Sequence, residues 1–334
     1  MNMPAGGSIR AIHNDISRGA LQNWCVGLRP ADFAYDVWTE RRLNELSCKL
    51  LLVGAVSACF LASPLTPRCF GSTKAAPSAS LIETSYRDMY DLRFGAAHQV
   101  LHEWERLHPE DPLGPASDAA AYLFSEFNRL GILQAQLFLT DANVNQAHKL
   151  APDPEIKQAF ESELSKSLRL ADSVLARTPQ DRNALFAKVL DLGLRSDYLS
   201  LIENRELASL HYMKSAGILA EALLKIDPSY YDAYLAVGVE NYLLSLNPAP
   251  VRWMLGLYGV ETSKARGIQE LRLTAQKGHY LRPYARLLLA VAELRDNNQG
   301  KATGLLQGLA REFPDNELYT NELARLQCQD SRGC

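Results

Sequence analysis

The sequence predicts an all-α fold, a solenoid of helical hairpins, on three observations. A helix breaker recurs at Pro109, Pro179, Pro228, Gly278 and Pro314, each time closing an amphipathic run. Five positions before each breaker stands an apolar residue: Trp104, Val174, Leu223, Leu273 and Leu309. Eight before stand Leu101, Ala171, Ala220, Glu270 and Leu306, and twelve before stand Ala97, Ser167, Ala216, Arg266 and Ala302. Three of the five copies obey the whole pattern, and the Gly278 copy obeys it poorly. Such spacing is one helix face closed by a residue that ends a helix. A unit that repeats it cannot bury that face alone and stacks on its neighbours. No alternating apolar and polar run competes with it.

The elements follow in order. Residues 81–94 and 95–108 predict a first helix pair joined at Gly95, with Ala97, Val100, Leu101 and Trp104 at helical spacing in the second. A third helix is expected over 117–138, with Ser117 or Asp118 as its N-cap. Residues 140–154 are polar and read as a long loop, and Pro154 opens a helix that reaches Leu175. Residues 183–202 with 206–226, 230–246 with 263–276, and 284–298 with 301–313 predict three more pairs. The amphipathic stretch 317–327 reads as a capping helix that shields the last apolar face.

The segment from Tyr231 to Pro314 resembles tetratricopeptide repeats, whose unit is two antiparallel helices. Tyr234, Val237 and Gly238 match the bulky, apolar and small positions of that family's first helix. Leu289, Ala290, Ala302, Leu306, Leu309 and Pro314 fall at the family's spacing in the last unit. With degenerate repeats the resemblance covers roughly 80–327 and implies a TPR-like right-handed α-α superhelix of roughly five pairs. The breakers stand 70, 49, 50 and 36 residues apart, so longer intervals than the family's ~34 must hold extended helices or inserted loops. The resemblance also implies that the first helix of each pair lines an inner groove. Asp232, Leu235, Val239 and Tyr242 then point inward, Asn241 stands on the same helix, and Arg282 and Arg286 form a rim for an acidic ligand or a solvated face. Tyrosine and asparagine side by side suit peptide capture; packing of the tyrosines between repeats is the alternative.

Composition bounds the function. The chain has 334 residues, 47% apolar, enough for a sizeable core. Its 35 basic and 38 acidic residues leave no basic face for nucleic acid. Residues 1–80 carry 8 basic and 5 acidic groups, so the positive excess sits at the front of a mildly acidic body. There Arg41, Arg42 and Lys49 precede the apolar run Leu50–Ala62, too short to span a membrane comfortably and typical of a signal-peptide core. Val56-Ser57-Ala58-Cys59 looks like a bacterial lipoprotein processing box, which would make Cys59 a lipidation site. An ordinary cleaved signal, an uncleaved anchor and a buried helix are the other readings of the run. The long stretch ahead of it predicts that translation starts nearer Val37. The expected organisation is an extension and signal segment over 1–62, a Pro- and Ser-rich tether over 63–80, the repeats over 81–327 and a tail over 328–334. Cys328 and Cys334 either close a small loop or remain thiols on that tail.

Motifs for chemistry are sparse. His98 and His102 stand four apart, a spacing that can hold a metal ion, or else they lie on an exposed helix face. The string HEWERLH fails the zinc-protease pattern because Arg106 stands where the second histidine is needed. Phosphate-loop, dinucleotide and nucleophile-elbow signatures do not occur. We therefore expect no metal site and no cofactor. Val251, Trp253, Met254 and Leu257 crowd one short segment, either a patch for a partner or membrane, or a buried plug between repeats. The expected role is a non-catalytic, protein- or peptide-binding scaffold of the bacterial cell envelope, attached to the membrane by an N-terminal lipid or anchor. An envelope hydrolase or carbohydrate-active enzyme on an α/α scaffold, or a cytoplasmic adaptor, is the alternative.

Overall fold

The computed structural model describes residues 80–132, 150–247 and 263–330, and every regular element among them is an α-helix. In chain order these are α1 (Leu81–Tyr90), α2 (Phe94–Leu107), α3 (Leu113–Arg129), α4 (Pro154–Arg177), α5 (Arg182–Leu201), α6 (Glu206–Ile226), α7 (Tyr234–Ser245), α8 (Lys264–Lys277), α9 (Arg282–Arg295), α10 (Gln299–Glu312) and α11 (Glu317–Asp330). All lie within one compact unit, Lys74–Cys334. The run Leu50–Ala62 with Cys59, the tether up to residue 79, the patch residues Val251, Trp253, Met254 and Leu257, and Cys334 lie outside the described residues.

Helix starts have local causes. At α1, Ser80 Oγ accepts from the Glu83 amide at 3.2 Å while Ser80 N donates to Glu83 Oε2 at 2.5 Å, a reciprocal capping box. Asp153 caps α4 ahead of Pro154, Asp181 caps α5 and Ser263 caps α8. The expected start of the third helix at Ser117 or Asp118 is corrected. Asp111 Oδ1 accepts the Leu113 amide at 3.0 Å and Pro115 tolerates the first turn, so α3 starts at Leu113 and leaves Ser117 and Asp118 buried in its interior.

The even-numbered helices end alike. His108, Thr178, Asp227, Gly278 and Phe313 each donate their N–H to the carbonyl four residues earlier, at 2.8 Å in every case. Eleven residues before these caps stand Ala97, Ser167, Ala216, Gly267 and Ala302, and seven before stand Leu101, Ala171, Ala220, Leu271 and Leu306, all buried. The Gly278 copy therefore keeps the small and the first apolar position. Counting from the breakers sets it one residue out of register, because proline lacks the N–H for the capping bond and stands one position beyond its cap, whereas Gly278 makes the bond itself. Gly267 and Leu271, not Arg266 and Glu270, hold its packing face, and the place assigned to Leu273 falls to the buried Thr274.

Consecutive helices pack against one another, and α1 with α3, and α3 with α5, pack as next neighbours. The array then returns on itself, because the α1–α2 turn meets the turns ahead of α9 and α11. Tyr90 Oη donates to Tyr280 O at 3.0 Å, and Asn316 Nδ2 donates to Tyr90 O at 2.7 Å. Arg93 pairs with Asp315 at 2.6 Å, and Tyr86 stacks on Tyr280 at 5.3 Å. These links join residues about 190 to 226 positions apart, beyond the reach of any local pattern.

Candidate functional site

The odd-numbered helices turn one stripe each toward a shared interior space, a partly enclosed cavity of about 340 Å³. Helix α5 supplies Phe186, Val189, Gly193 and Asp197, spaced three and four apart so that one face looks inward. From α7 come Leu235, Val239 and Tyr242, and from α9 come Tyr284, Leu288 and Val291. Tyr86 and Tyr90 of α1, Phe124 of α3 and Tyr319 of α11 complete an aromatic girdle. The volume falls at the small end of the ~300–1,000 Å³ usual for small-molecule sites. Leu243 and Arg295 are the exposed members of the described wall, so the space reaches solvent at the ends of α7 and α9.

The residues singled out from the sequence divide here. Leu235, Val239 and Tyr242 form part of the wall, and Tyr242 Oη has no hydrogen-bond partner among the described residues. Asp232 also borders the space, yet its carboxylate accepts the backbone amides of His279 at 2.8 Å, Tyr280 at 3.1 Å and Leu281 at 2.8 Å. Asn241 is buried and donates to Val237 O at 3.0 Å. Arg282 and Arg286 both reach Glu312 on α10, at 3.0 and 2.5 Å. Four of the seven are thus engaged inside the fold.

Asp197 escaped the sequence reading. It is enclosed by the protein yet touchable by water, because the space it faces lies within the fold. Among the described residues it has no hydrogen bond and no ion pair, and burial lifts its carboxyl from 3.8 to about 7. The Tyr284 phenol is raised as well, first by burial and then by Asp197 across the cavity wall. The available signal was an acid in register with Val189, Gly193 and Leu201, a stripe of apolar and small residues where a solvated face is not expected.

A pH dependence follows. The folded chain keeps the Asp197 proton up to about pH 7, whereas the unfolded chain releases it near 3.8. The native state therefore binds more protons between those values, and stability falls as pH rises through that window. Glu240, raised by burial to about 7, acts in the same sense. We expect Asp197→Asn to flatten the stability difference between pH 5 and pH 8 by about 1–2 kcal/mol, discounted for the water that reaches the cavity. Urea denaturation at both pH values reads this, and an unchanged difference in the variant would assign the effect elsewhere.

A second cluster gathers His98 and His102 around Asp118. His98 Nδ1 lies 2.6 Å from Asp118 Oδ1, and His102 Nε2 lies 3.5 Å from Oδ2. One oxygen each of Glu105, Asp118 and Glu163 lie within 4.8 Å of one another. Lys166 bonds Glu105 and stands 3.5 Å from Glu163, so an internal ammonium serves this group as counter-ion. Compared with known proteins, the chain matches no family model, no curated protein and no solved structure.

Proposed function

We propose that the chain is a non-catalytic binding protein of TPR-like, helical-hairpin architecture that holds an apolar small molecule in its bore. The carrying observation is the cavity, whose wall comes chiefly from the first helix of each pair. A peptide laid along an open groove fits less well. The contacts between the α1–α2 turn and the turns before α9 and α11 close the array, and the wall offers few groups for a peptide backbone to bond. A two-carboxylate glycosidase would need a second acid working with Asp197, and the other acid on the described wall, Asp232, is committed to three amides. The run Leu50–Ala62 and Cys59 support delivery to the bacterial envelope, with a lipid on Cys59 fastening the protein to a membrane.

Titration with a neutral apolar dye such as Nile red tests the reading. Saturable one-to-one binding is expected, with loss in Val239→Trp, which fills the space from α7. Circular dichroism confirms that the variant is folded. Equal dye binding by the filled variant and the original chain would remove the bore as the site.

A further inference from the structure

We propose that the ligand of the bore is a lipophilic amine, a single apolar chain whose protonated amino group pairs with Asp197. The inference rests on the reading of the bore as a binding site and adds the chemistry of its occupant.

The wall of the bore has few free polar groups. Its side chains are mostly apolar or aromatic, and its serines and Asn316 are already bonded: Ser196 to Ser209, Ser200 to Glu206, and Asn316 to Tyr90 and Leu318. Asp232 is held by three amides. Asp197 remains, a carboxyl in an apolar enclosure with no partner among the described residues. A fold that leaves such a group unpaired bears a desolvation penalty, and the penalty is relieved when a counter-charge arrives with a ligand. An ammonium supplies that charge and three N–H donors in one compact group. A carboxylate-headed chain would set a second negative charge against Asp197, and an uncharged chain would leave the acid as it is. Tyr242 Oη, also without a hydrogen-bond partner among the described residues, offers a further acceptor on the same wall. Arg295 sits exposed at the opening, where solvent and salt screen its repulsion of an incoming cation.

Calorimetric titration of the full chain at pH 8 with dodecylamine, dodecanol and dodecanoate, each kept below its micelle concentration, tests this. Dodecylamine should bind one-to-one and roughly 10- to 100-fold tighter than dodecanol, the range of a desolvated charge pair. Asp197→Asn should remove the preference for the amine, bringing its affinity down to that of dodecanol measured on the same variant, and circular dichroism confirms that the variant is folded. Val239→Trp should lose all three. Equal affinity for amine and alcohol, or an amine affinity indifferent to Asp197→Asn, overturns the amine assignment while the apolar site stands. If no chain binds and Val239→Trp changes nothing, the site reading falls and the inference with it.

Discussion

Asp232→Ala is expected to cost about 3–5 kcal/mol of unfolding free energy, the range for stripping a buried charged acceptor from several donors. The turn Gly278–Leu281 explains why. Other turns after even helices carry their own acid or amide: Asp111 accepts from Leu113, Asp181 from Ala184, and Asn316 from Leu318. The α8–α9 turn has none, and Asp232 supplies it from 47 to 49 residues earlier by accepting three successive amides. Burial raises this carboxyl, and the same three bonds oppose the rise. Gly278 belongs to the arrangement, because a Cβ there would lie 3.0 Å from Asp232 Oδ1 and 2.6 Å from Thr274 O. Tyr280, one of the amides held, is also the ring on which Tyr86 stacks and whose carbonyl takes Tyr90 Oη. Loss of Asp232 should therefore loosen the closure between α1 and α9 as well as the turn. Urea denaturation measures the cost, and hydrogen exchange at 279–281 localises it. A loss below about 1 kcal/mol would mean that water replaces the carboxylate without difficulty.

The same residue shows where the sequence was legible and where it was not. The even helices could be read because their rule is local: a small residue, an apolar one four later, in four of the five another three beyond, then a cap. Only the register of the Gly278 copy slipped, through the difference between a proline after the cap and a glycine serving as one. The inner stripes are harder to read. Helix α5 buries Ala184, Leu185, Phe186 and Ala187 in succession, so more than one side is covered and periodicity does not reveal which side faces the cavity. Asp232 and Asp197 are both hard to place from sequence for this reason. The first has a groove position by the resemblance, yet its partners lie 47 to 49 residues away, beyond α8. The second stands on a helix, where an acid ordinarily faces water. Arg282 and Arg286 look like rim groups until Glu312 on the paired helix is seen between them.

Gly267→Ala should be the other severe substitution, at about 2–4 kcal/mol, the scale of forced overpacking at a close backbone contact. Helices α7 and α8 cross here nearly backbone to backbone. A Cβ on Gly267 would lie 2.6 Å from Tyr242 N and 2.8 Å from Gly238 O, and one on Gly238 would meet Leu271 N at 3.0 Å. The obstructing atoms are main chain, so no rotamer change relieves them and the two helices must separate. The small residue that occupies this register in the other four units is alanine or serine, and only in α8 must it be glycine. Separation would also move Tyr242 and Val239, which stand on α7 and wall the cavity. Gly304→Ala is the internal comparison: it lies mid-helix in α10 with nothing within 4 Å of an added Cβ. There the better helix propensity of alanine should leave stability unchanged or raise it by up to about 1 kcal/mol. Denaturation of the two variants side by side separates crowding from propensity. A Gly267→Ala protein as stable as the original would mean that α7 and α8 part without penalty, and that the close crossing does not set the position of the cavity wall.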